Sequence, residues 1–146
     1  MSTRTNLRPY PVIGALATAH GLVDSGVSGS MSGTGAIASL ITILQGLTAA
    51  SYTFSWTGSS PVGSIQIFGS NDYSINIDGK TAANSGTWTP IYFSVNGGAA
   101  TNTLNVTGNS GSGIVELSTG LYAVKCIYTN ASGTGTLTAV IGGKVY

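Results

Sequence analysis

Leu121 to Tyr146 reads LYAVKCIYTNASGTGTLTAVIGGKVY, and its reading decides the fold. It predicts two β-strands joined by a polar turn. In the first, Tyr122, Val124, Cys126 and Tyr128 alternate with Leu121, Ala123, Lys125 and Ile127, the period of two that assigns each set to one face of a sheet. Asn130 to Gly135 interrupts with turn-forming residues. Thr136 to Ile141 resumes the alternation, with Leu137, Ala139 and Ile141 on one face, before Gly142 and Gly143 end it. The expectation is a closing hairpin that sets the register of the preceding sheet.

The same vocabulary runs upstream. Ser51 to Thr57 alternates, with Tyr52, Phe54 and Trp56 on one face, and Val62 to Phe68 follows after Pro61 as a second strand. Tyr73 to Asp78 reads as an extension of that strand with Ile75 and Ile77 inward. Further short strands are expected over Ile37–Leu44, Thr87–Val95 (with Pro90 marking an edge or bulge), Thr101–Thr107 and Ile114–Leu117. Eight or nine short strands with almost no helix fit an all-β fold, an antiparallel β-sandwich or jelly roll.

Composition supports that class and narrows the function. Of 146 residues, 22 are glycine, and Val, Ile, Tyr and Thr fill the runs between turns. Only 6% are charged, against roughly 25% in an average soluble domain. A net charge of +1 offers no field for nucleic acid or an anionic membrane, and no run is long enough for a membrane-spanning helix. With so few charges to guard its sheet edges, the chain reads as an assembly subunit, expected to be a homo-oligomer, whose edges neighbouring copies or another chain cover.

The N-terminal third reads differently. Residues 1–36 are expected to form an arm and connecting segment, and 37–146 the sandwich. Arg4 and Arg8 are two of five basic residues, and Pro9-Tyr10-Pro11 imposes extended geometry. Arg4, Arg8, Pro9 and Tyr10 are therefore the candidate partner-binding residues of an arm docking on a neighbour. The Ala-rich piece around Leu16 could form a helical turn. The first residues lack the apolar segment of a signal peptide, so synthesis in a cytosol is expected.

No catalytic constellation stands out. The acids Asp24, Asp72, Asp78 and Glu116 are scattered, and His20 is the single histidine, four residues before Asp24. The expectation is no enzyme, no metal and no cofactor. Cys126, the one cysteine, fits a buried, inert thiol. Asn71 and Asp72 offer oxygens to calcium, but a turn-capping role is simpler. Trp56 reads as core, whereas Trp88, near a proline-containing edge, is the candidate for stacking on a glycan.

The series Trp56-Thr57-Gly58, Ser70-Asn71-Asp72, Trp88-Thr89, Tyr128-Thr129, Ser132 to Leu137 and Gly143-Lys144 resembles, in order over about residues 40–145, a β-sandwich family of bacteriophage virion proteins. It departs at Ala123-Val124-Lys125-Cys126, where the family pattern carries an arginine, so Lys125 would replace it less rigidly at any subunit contact. The resemblance implies a virion structural protein made in the host bacterial cytoplasm: a head decoration, cement or minor capsid subunit binding the major capsid protein or other virion proteins. The alternative is a tail- or fibre-associated module that binds host glycans through Trp88.

Overall fold

The computed structural model describes residues 6–14, 27–44, 47–77, 81–117 and 120–144. Leu16, His20 and Asp24 lie outside them, as does Arg4. The described chain is all-β and antiparallel. Its strands are β1 (Asn6–Ile13), β2 (Ser30–Met31), β3 (Ala36–Ala38), β4 (Thr42–Ile43), β5 (Ala49–Ser70), β6 (Ser74–Ile75) and β7 (Ala82–Asn84). After these come β8 (Thr89–Pro90), β9 (Phe93–Val95), β10 (Ala100–Thr101), β11 (Leu104–Val106), β12 (Ser110–Leu117) and β13 (Ala123–Lys144). Eleven form one sheet with the backbone order β1-β13-β5-β12-β9-β10, and β6 pairs with β7 separately.

Two strands dominate this sheet. β5 and β13 each run 22 residues and pair with each other from Ala123↔Ser70 to Lys144↔Ala49. Straight, each would span about 70 Å, at about 3.3 Å per residue. Both bend midway. Asn130 faces Gly63 before the corner and Thr134 faces Ser59 after it, so each strand uses four residue steps to turn. The buried positions of β5 shift from even numbers (Tyr52, Phe54, Trp56) to odd (Ile65, Ile67), and those of β13 from Cys126 and Tyr128 to Leu137, Ala139 and Ile141. An inserted residue at a β-bulge has this effect: it keeps one face inward while the numbering slips by one.

The bend brings the two halves of the sheet together. β1 pairs with β13 around Val140, and β3 and β4 pair with it between Ala123 and Thr129. Yet the Leu40 N–H, between β3 and β4, donates to the Val12 carbonyl of β1 at 3.1 Å. The segment from β8 to β9 crosses between the halves, since β8 pairs with Phe68 and Gly69 of β5 and β9 pairs with β12. Tyr52, Phe54 and Trp56, facing Ile141, Ala139 and Leu137, share one core with Ile65 and Ile67, facing Tyr128 and Cys126.

The corner is backbone packed on backbone. Ser60 and Gly133 both take left-handed φ, 48° and 75°. A Cβ on Gly133 would lie 2.2 Å from the Ser60 carbonyl oxygen, so no other residue fits there. Asn109 fastens the other side: its side-chain oxygen accepts from the Ser60 N–H at 2.9 Å, and its carbonyl from the Gly58 N–H at 2.8 Å.

Four expectations are corrected. The expected closing hairpin is one continuous strand: its two halves pair with opposite halves of β5, because bulged residues at 130–135 let the ladder pass the corner. Eight or nine short strands become thirteen elements among the described residues, two of them very long. Residues 6–13 are extended, but they form an edge strand of the chain's own sheet with Val12 and Ile13 buried, and 30–31 also belong to it. Residues 6–13 and 30–31 thus share one sheet with β5 and β13. Ile75 and Ile77 point outward, because Asn71 and Asp72 turn the chain out of β5 before it can continue.

Candidate functional site

The resemblance motifs Ser70-Asn71-Asp72 and Trp88-Thr89 meet at the far end of β5. Its last residues pair with β8, Gly69 facing Thr89, so the turn after β5 and the approach to β8 lie side by side. Between them the chain leaves the main sheet and returns, carrying the β6–β7 hairpin. Asp72 closes the neck of this excursion. Its Oδ1 accepts from the Thr87 N–H at 2.6 Å and the Ser70 hydroxyl at 2.8 Å, and its Oδ2 accepts from the Thr87 hydroxyl at 2.9 Å. The Thr87 backbone bond, then the Ser70 and Thr87 hydroxyls, hold the carboxyl below its usual value. Asn71 Oδ1 accepts from the Tyr122 N–H at 2.9 Å, tying the turn to the approach to β13. Both side chains therefore serve as turn fasteners.

An open depression of about 490 Å³ lies beside this neck. Gly69, Ile91 and Leu121 form its apolar wall, and Ser70, Asp72 and Thr89 contribute to its polar rim. Trp88, between two residues that line it, does not. The Trp88 ring is half-buried, its indole N–H donates to the Ser85 carbonyl at 2.8 Å, and the Tyr73 ring leans on it with centroids 5.6 Å apart. Lys125 Nζ stands 4.5 Å from the Trp88 ring centre, a cation–π contact. An indole with a cation over its face and its N–H already bonded is not a bare stacking platform.

The remaining candidates fall elsewhere. Arg8, Pro9 and Tyr10 sit in β1, Tyr10 opposite Ile141, with Pro9 exposed. Trp56 is buried and donates its indole N–H to the Thr107 carbonyl at 3.2 Å. Cys126 is fully buried, and desolvation pushes its thiol up to about 12, which leaves no thiolate for nucleophilic chemistry near neutral pH. Among the described residues, no three His, Cys, Asp or Glu side chains come together to hold a metal. No helix there is long and apolar enough to cross a membrane.

The β6–β7 hairpin was missed by sequence reasoning. Its signal was available in Ser70-Asn71-Asp72, three turn-forming residues in succession after an apolar strand.

No family model matches this chain, and a search of curated proteins found no similar sequence. Among solved structures, the crystal structure of the SPBc2 prophage-derived protein YomS is similar over 97% of each chain, with a TM-score of 0.52 and 11% sequence identity. The likeness is one of fold.

Proposed function

We propose that the chain is a bacteriophage virion structural protein, a capsid-associated subunit of decoration, cement or minor capsid type. The observation that carries this reading is the end-to-end fold shared with a prophage-derived protein, covering 97% of both chains. It agrees with the virion-family motifs, which occupy defined structural places: Trp56 in the core, Gly58 at the corner, Ser70-Asn71-Asp72 at the neck of the hairpin. The low charge fits a function performed by binding surfaces, since few charges guard the sheet edges.

In this reading the bent sheet is a rigid body that adds contacts to a particle. Apolar burial at subunit contacts contributes roughly 25 cal/mol per Å² removed from water. The partners are the major capsid protein or other virion proteins, and further copies of the chain. In this reading Arg4 and Arg8 are the residues that would meet acidic groups on a neighbour.

Mass spectrometry of purified particles of the encoding phage tests this reading. The expected result is the chain at a fixed copy number per particle, retained through density-gradient purification. Its absence from particles while present in infected cells would overturn the proposal.

A further inference from the structure

Asn96-Gly97 is the one Asn-Gly pair in the chain. In an open chain such a pair loses ammonia readily, because glycine carries no side chain to shield or restrict its backbone nitrogen. That nitrogen attacks the asparagine side-chain carbonyl carbon. A bond forms between the Gly97 nitrogen and Asn96 Cγ, and the bond from Cγ to the side-chain nitrogen breaks. The side-chain nitrogen leaves as ammonia, taking up the proton that the Gly97 nitrogen gives up. Water then opens the five-membered ring. Attack at Cγ leaves aspartate, whereas attack at the main-chain carbonyl leaves isoaspartate, in which the chain runs through the former side chain.

The fold holds this step back in two ways. Asn96 and Gly97 have φ of 51° and 76°, and the Gly98 N–H donates to the Val95 carbonyl at 2.9 Å, which makes them the central pair of a type I′ turn. In such a turn the first central residue has ψ of about +30°, which swings the next nitrogen away from Cβ. The ring closes only with that nitrogen on the Cβ side. The side chain is also held. Asn96 Oδ1 accepts from the Ile114 N–H at 2.9 Å, while the Asn96 N–H donates to the Ile114 carbonyl at 2.8 Å. Both restraints belong to the closed hairpin.

That hairpin is lightly held. β9 and β10 pair at two positions, Ser94↔Ala100 and Phe93↔Thr101, and β9 meets β12 at two more. Among the described residues β10 pairs with no other strand. A short edge element of this kind opens at a free energy below that of global unfolding. Opening frees ψ of Asn96 and releases its side chain together. Isoaspartate then adds one carbon to the main chain inside a two-residue turn and takes the former Oδ1 into the backbone, away from Ile114. The type I′ geometry cannot absorb that atom. The edge of β12, which carries no proline and no charge before Glu116, is left uncovered.

We propose that Asn96-Gly97 is a covalent modification site gated by the β9–β10 hairpin: protected while the hairpin is closed, converted to isoaspartate when it opens, and unable to close again afterwards. The inference rests on the hairpin alone and is independent of the place the chain takes on a particle.

The test incubates the full chain at mildly alkaline pH, folded or in urea, and follows conversion at Asn96 by mass-spectrometric peptide mapping. The folded chain is expected to convert at least about tenfold more slowly than the unfolded one. A second variant isolates the gate. The Ser94 hydroxyl donates to the Gly98 carbonyl at 2.7 Å across the turn, so Ser94→Ala loosens the hairpin without touching the reacting atoms. It is expected to convert several-fold faster than the wild type when folded, and at the same rate in urea. In the isoaspartyl fraction, hydrogen exchange is expected to be faster over residues 93–101 than in unconverted chains and unchanged in β13. Equal rates for the wild type folded and in urea, a folded Ser94→Ala rate equal to that of the wild type, or unaltered exchange over 93–101 would overturn the proposal.

Discussion

The Tyr128 hydroxyl donates to Asn130 Oδ1 at 2.7 Å, in the buried stretch of β13 just before its corner. The Asn130 amide then donates to the carbonyls of Gly33, at 2.6 Å, and Gly133, at 3.3 Å. One side chain thus joins the core tyrosine, the loop before β3 and the far side of the bend. Replacing it strands the buried Tyr128 hydroxyl, at a cost of about 1–3 kcal/mol, and removes both bonds to the glycine carbonyls. Asn130→Ala is expected to lower stability by about 2–4 kcal/mol in denaturant unfolding, and Tyr128→Phe by only about 1 kcal/mol. Equal, small losses would show that the corner does not depend on this network.

Gly133 and Gly97 separate conformational cost from steric cost. Both have φ near 75°, but a Cβ on Gly97 meets nothing within 4 Å, whereas one on Gly133 collides with Ser60 and Pro61. Gly97→Ala is expected to cost about 1–2 kcal/mol, the left-handed penalty alone. Gly133→Ala is expected to cost at least about 3 kcal/mol more or to prevent soluble folding, because backbone cannot move aside at the corner. Comparable melting temperatures for the two variants would contradict the packed corner.

Asp72 sets an acid limit on the hairpin neck. Its carboxyl titrates below the ordinary value in the folded chain, so its contribution is present above the unfolded pKa, about 3.9, and is lost as pH falls through the lower folded value. The side-chain carboxyl resonance of Asp72 should therefore titrate below pH 3.9, and the Thr87 amide resonance should move with it. Asp72→Asn should remove that coupled shift. A Thr87 amide indifferent to this titration would mean that the neck is held by other contacts.

The N-terminus divides at β1. Removing residues 1–5 leaves every described strand in place, and unfolding should be unchanged. Removing residues 1–13 takes away β1, uncovers one edge of β13 and deletes Val12 and Ile13 from the core, for a loss of about 3 kcal/mol or more. Pro9 and Pro11 also blunt the outer edge of β1, so the truncated chain, which exposes a long unguarded strand, should aggregate on heating. Equal melting of the two truncations would count against β1 as part of the fold.

Local alternation was enough to determine much of this protein. The all-β class, the inward faces of Tyr52, Phe54 and Trp56, of Cys126 and Tyr128, and of Leu137, Ala139 and Ile141, and the inert burial of Cys126 all follow from a period of two, which each strand carries within itself. The candidate site was legible only in pieces. Ser70-Asn71-Asp72 announces a turn, but nothing in it names Thr87, fifteen residues on, as the partner of Asp72. Nor does Trp88 announce Lys125. Tertiary structure alone decided whether 130–135 folds back as a hairpin or carries one strand round a corner. Glycine, serine and threonine permit both. The choice rests with β5, which turns at 59–63 in step with β13 and supplies a pairing partner on each side of the bend.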